Sequence, residues 1–202
     1  VELDISEDGG STWTVTDTSV TGDVGIGQTT GTTKTITWDA DADFDNQSQS
    51  DMRVRIRATD SLNNQGSYAE SADFLIDTAN PVVSNVLAVQ NTGSTNVVVS
   101  YDLADGVGSS TVELDISEDN GSTWTVTDTS VAGNVGSGQS SGVGKTITWA
   151  ADTDFSGEYQ DDMKIRVRAI DEYNNQSSYV ESSAFVLDTA DPVIANLIVE
   201  QQ

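Results

Sequence analysis

VELDISEDNGSTWTV, at Val112–Val126, decides the fold. Val112, Leu114 and Ile116 alternate with Glu113, Asp115 and Ser117, the period-2 pattern of a strand with one apolar face. Asn120-Gly121 then supplies turn chemistry, since both residue types tolerate positive φ. Thr123–Asp128 resumes in β-branched residues, so the reading is strand, tight turn, strand. The same stretch stands at Val1–Val15 as VELDISEDGGSTWTV, an offset of 111 residues.

That offset holds without a gap through the rest of the sequence. KTITW at Lys34–Trp38 meets Lys145–Trp149, and IDTANPVV at Ile76–Val83 meets LDTADPVI at Leu187–Ile194. About three-fifths of the overlapping positions are identical. So long a period is a whole domain, not a solenoid turn. Pro81 and Pro192 each follow a D-T-A-[ND] turn and set an extended entry, which places unit boundaries there. Residues 81–191 are read as one complete unit, 1–80 as a unit without its first two strands, and 192–202 as the first strand of a third. The expectation is a window on a longer tandem array, in which neighbouring repeats of the same chain are each other's partners.

In the complete unit, alternation and β-branched residues mark strands at 82–89, 96–103, 111–117, 123–128, 145–149, 163–170 and 180–188. No stretch reads as helix. Seven short strands in one such unit is the strand count of an immunoglobulin-like or fibronectin type III sandwich. The expected fold is all-β: tandem seven-stranded β-sandwiches.

Composition limits function. There are 33 acids against 8 bases, a formal net charge of −25, with no His and no Cys. So acidic a chain is a poor partner for nucleic acid, phosphate-rich ligands or anionic membranes. Absent Cys removes thiol chemistry, and absent His removes the commonest general base and metal ligand. No apolar run approaches membrane-spanning length. Six of the eight bases fall on one strand in each copy, Arg53, Arg55, Arg57 and Lys164, Arg166, Arg168. Outward acids at Glu2, Asp4, Glu113 and Asp115 would face them on a neighbouring antiparallel strand, which predicts a cross-strand charge ladder.

Ser6–Trp13 and Ser117–Trp124 both fit S-x-D-x-G-x-T-W. This resembles the Asp box, a hairpin motif of bacterial sialidases and other repeat-containing secreted proteins. Its logic is local: the Asp accepts backbone N–H bonds across the turn, Gly supplies positive φ and Trp packs on the hairpin. A sialidase would also need an arginine cluster and a Tyr–Glu nucleophile pair, whereas these arginines lie in strand ladders. Taken with Y-D-L-A-D, K-T-I-T-W and F-x-[IL]-D-T, the whole chain resembles the fibronectin type III-like repeats of large bacterial and archaeal surface proteins. The resemblance implies structural or adhesive work outside the cell, without an active site. Partners would be copies of itself in a filament or layer by strand addition, or cell-surface glycans. Trp38 and Trp149 share parity with Ile36 and Ile147 and read as core; Trp13 and Trp124 read as turn packing, with sugar stacking as the alternative.

Acid placement is the remaining signal. Asp outnumbers Glu 24 to 9 and concentrates in loops, as in Asp39-Ala-Asp41-Ala-Asp43-Phe-Asp45. Alternating oxygen ligands suit Ca²⁺, although the EF-hand spacing is absent. The expected calcium positions lie at unit junctions: Asp41, Asp43 and Asp77 facing Asp102, Asp105 and Asp171, with Asp152, Asp154, Asp188 and Asp191 at the outgoing end of the complete unit. A solvated, salt-tolerant acidic surface explains the same residues. The chain is therefore expected to be a non-enzymatic, rod-like spacer of an extracellular surface protein, with a carbohydrate-binding accessory module of a secreted hydrolase as the alternative.

Overall fold

The structure, a computed structural model, describes residues 1–201; Gln202, the last residue of the expected 192–202 segment, lies outside the described residues. The chain divides into two compact units, Val1–Asn80 and a second starting at Pro81. Both are built of antiparallel strands.

The first unit contains β1 (Glu2–Ser6), β2 (Val20–Gly22), β3 (Ile36–Trp38), α1 (Ala40–Asp43), β4 (Ser48–Arg57), β5 (Ala69–Glu70) and β6 (Phe74–Asp77). β4 is the hub, pairing with β1 on one edge and with β5 and β6 on the other, while β2 and β3 form a ribbon. Leu3, Ile5 and Met52 are its buried centre, and half-buried Trp38, Val54, Phe74 and Ile76 pack around them.

The second unit contains β7 (Val82–Gln90), β8 (Asn96–Ala104), β9 (Ser110–Ser117), β10 (Val131–Gly133), β11 (Gly136–Gln139), β12 (Gly142–Ala150), α2 (Ala151–Asp154), β13 (Tyr159–Ile170), β14 (Val180–Glu181) and β15 (Phe185–Asp188). One sheet runs β10-β12-β8-β7; the other runs β11-β9-β13, with β14 and β15 sharing the far edge of β13. Their apolar faces meet in a single core. Val97, Val99, Tyr101 and Trp149 come from the first sheet, and Ile116, Met163, Ile165 and Leu187 from the second. The architecture is all-β and sandwich-like. Residues 189–201 carry no strand or helix.

Three local readings are corrected. The expected strand at 123–128 is absent, and only a Val126–Ile116 bridge remains. The reason is competition: Asp119 takes both the N–H and the hydroxyl of Thr123, so the chain after the turn is committed to the carboxylate instead of a ladder. The strand on the edge of β9 away from β13 is β11, drawn from the Gly/Ser-rich stretch between 128 and 145 where no strand is expected. The second correction is helical. Ala40–Asp43 and Ala151–Asp154 each make one turn, closed by Phe44 N–H to the Ala40 carbonyl and Phe155 N–H to the Ala151 carbonyl, both at 2.7 Å. In α1 the Asp39 side chain accepts from the Ala42 N–H, the standard cap for orphan first-turn donors. The third concerns 180–188, which splits into β14 and β15. Ser182, inserted between them, gives its N–H to the Ile165 carbonyl and takes the Ile165 N–H on its hydroxyl.

Candidate functional site

Each copy carries the same three polar constructions. The first is the S-x-D-x-G-x-T-W turn. Ser117 donates its hydroxyl to Asp119 Oδ1 at 2.8 Å and accepts from the Gly121 N–H. Asp119 also accepts the Thr123 N–H (2.7 Å) and hydroxyl (2.8 Å). Ser6, Asp8, Gly10 and Thr12 repeat every one of these bonds. The Thr123 N–H above all, then the Ser117 and Thr123 hydroxyls, holds the Asp119 carboxyl below the usual range; Asp8 is lowered in the same way by Thr12 and Ser6. Gly10 and Gly121 sit at φ +87°, and a Cβ on Gly10 would lie 3.3 Å from the Trp13 ring. The turn therefore favours glycine for its backbone conformation.

The second construction is the charge ladder on the outer face of β1–β4 and β9–β13. The expected ladder is observed, and its register sets Glu113 opposite Arg168, Asp115 opposite Arg166, and likewise Glu2 with Arg57 and Asp4 with Arg55. All four pairs close at 2.7–2.8 Å. Arg53 and Lys164 instead reach sideways, to Asp73 and Glu181. Arg166 is also stacked, 4.5 Å from the Trp124 ring centre and 3.9 Å from that of Tyr179; Arg55 lies between Trp13 and Tyr68 at 4.3 and 4.0 Å. The tyrosines were not singled out from sequence. Their signal is that Tyr68 and Tyr179 recur at the repeat offset, each inside a shared N-N-Q-x-S-Y run.

The third is a carboxylate behind the tryptophan. Asp154 accepts from the Trp149 indole N–H (3.0 Å), the Ser130 N–H and hydroxyl, and the Thr129 hydroxyl. Asp43 does the same for Trp38, Ser19 and Thr18. Burial raises both carboxyls, but these donors outweigh it and the net direction is down.

The other proposed calcium positions have their own placements. Asp102 accepts from Asn85 Nδ2 and the Gly144 N–H, tying β7, β8 and β12 together. Asp171, buried, holds the turn after β13 through the Tyr173 and Asn175 N–H groups and the Asn175 amide. Asp105 accepts from the Ser110 hydroxyl, and one of its carboxylate oxygens lies within 4.8 Å of one from Asp171. Asp77 and Asp188 accept from the N–H two residues ahead. Asp152 accepts from the Ser156 hydroxyl, and Asp41 and Asp191 are exposed. The structure thus engages most of these carboxylates with protein donors. Asp105 and Asp171 are the two it brings together within the second unit.

No family model, curated protein or solved structure matches the chain.

Proposed function

We propose that the chain is a segment of tandem fibronectin type III-like repeats, a non-enzymatic, rod-like spacer with structural or adhesive work in an extracellular surface protein, filament or surface layer. The observation that carries this reading is the duplication of the polar networks. A residue kept for chemistry needs an available lone pair, proton or ring face. Here the motif residues spend theirs on the fold, twice, at the same offset. Seven of the eight bases are in ion pairs with carboxylates, and the eighth, Lys145, donates to the Ser140 carbonyl. The Trp13 and Trp124 rings, on which a sugar would stack, each carry a guanidinium on one face. Within this reading the S-x-D-x-G-x-T-W turn is an Asp box, and the sheet orders β10-β12-β8-β7 and β11-β9-β13-β14/β15 correspond to the two layers of the fibronectin type III sandwich.

The test is the intact mass of the native polypeptide together with its location. A secreted or surface-bound chain of many 111-residue repeats is expected. A native mass near 21.3 kDa would overturn it. Dose-dependent binding on a glycan array would favour the carbohydrate-binding alternative.

A further inference from the structure

A face that is covered in one copy of the repeat is open in the other. In the complete unit β8 pairs with β12, and β7 packs over β13, β14 and β15. Beneath them Ile147, Trp149, Ile165 and Val167 are each 0% exposed. The corresponding residues of the first unit are Ile36, Trp38, Val54 and Ile56. Three of these are only half-buried, and Ile56 is 40% exposed. The strand edge is open as well. β12 runs with β8 from Gly142 to Ala150, whereas β3 extends over Ile36–Trp38 alone and, among the described residues, pairs only with β2. A concavity lined by Lys34, Ile36, Ile56 and Ala69 marks the gap.

We propose that this face of Val1–Asn80 docks a two-stranded β-hairpin of repeat polypeptide with the pattern of Pro81–Ala104. Its second strand would add to the free edge of β3, and its first would lie over β4 and β6. Strand addition satisfies an unpaired edge while alternate side chains fill the core beneath. The internal copy supplies the register: Val97, Val99, Tyr101 and Leu103 of β8 all point into the core, whereas β7 buries only Val83 and Ala88. Asp102 is the single charge in Pro81–Ala104, so such a hairpin meets no strong repulsion from a chain of net charge −25.

Residues 192–201 align at the repeat offset with Pro81–Gln90, the stretch that forms β7, and Val193, Ile194, Leu197, Ile198 and Val199 are 79–92% exposed there. They are not the proposed occupant. β7 touches β12 only through β8, so a β7-type strand alone leaves the β3 edge unpaired. Only the internal repeat is needed for this inference, which stands whether or not the protein works outside the cell.

Hydrogen exchange of the whole 202-residue chain tests it, with a synthetic Pro81–Ala104 peptide as probe. Amides of residues 34–38 and 54–57 are expected to slow about tenfold or more, while those of residues 145–149 stay unchanged. A peptide with Val97, Val99 and Tyr101 all replaced by Ser should have no effect. Should the free peptide aggregate, the sequence of residues 81–111 joined ahead of Val1 gives the same readout without it. Unchanged exchange in that joined chain would overturn the proposal. Equal slowing by the Ser-substituted peptide or by a Pro192–Gln201 peptide would also overturn it, the latter by naming a single strand as the occupant.

Discussion

A carboxylate in this chain is defined by its donors. Asp154 closes four hydrogen bonds, one of them from the indole of the fully buried Trp149. Asp154→Ala takes the acceptor from that N–H, and a loss of about 2 kcal/mol is expected in urea unfolding, since a stranded buried donor costs its desolvation. Asp128 has the opposite character. Burial, followed by the nearby charges of Asp115 and Asp154, holds its carboxyl above the ordinary range. The folded chain then binds that proton more tightly than the unfolded chain, so ionisation at neutral pH subtracts from stability. Asp128→Asn is expected to raise Tm at neutral pH, with the gain vanishing below about pH 3, where the wild-type carboxyl is protonated in both states. A gain that persists in acid would show that shape, not charge, explains it. Asp119 and Asp154 run the other way: their lowered values contribute stability above about pH 4, lost as pH falls through the folded values.

Among the elements, β9 and β13 were the most legible. Glu113, Asp115, Arg166 and Arg168 alternate with a buried apolar row, and that pattern alone placed the acids opposite the bases. Less legible were the places where a side chain outbids the ladder. Asp119 takes the donors of Thr123 and dissolves the expected strand at 123–128, and Ser182 divides β14 from β15; neither event leaves a periodic trace. The two helical turns were hidden because four residues are too few for a 3.6-residue period. The tyrosine plates are illegible for a different reason: Tyr179 lies outside any strand, and only the fold carries it over Arg166. This stack has a measurable consequence. Arg166→Lys keeps the charge facing Asp115 but loses the planar group between Trp124 and Tyr179. It should cost about 1 kcal/mol, and that cost should survive high salt, because stacking is less screened than an exposed ion pair. Complete recovery of stability in 1 M NaCl would reduce the arginine to a point charge.

At the scale of the whole molecule the acids that match no base dominate. Among the described residues seven carboxylates are taken by ion pairs, and the remaining acids far outnumber the one remaining base in a chain of net charge −25. Salt acts on both populations. It weakens the pairs, which are partly exposed and worth less than about 1 kcal/mol each, and it screens repulsion among the surplus carboxylates. The second effect reaches further, since the Debye length falls from about 10 Å at 0.1 M to about 3 Å at 1 M, removing many medium-range repulsions at once. Repulsion should therefore win, and Tm is expected to rise steadily with NaCl between these concentrations. Calcium chloride at matched ionic strength is the control that separates general screening from ion binding. Equal curves mean that the loop acids, Asp41 and Asp152 among them, act as a solvated surface, whereas an added rise that saturates at low calcium means that some carboxylates hold the ion. A fall in Tm with NaCl would show that the ladders, not the surplus charge, set the electrostatic balance.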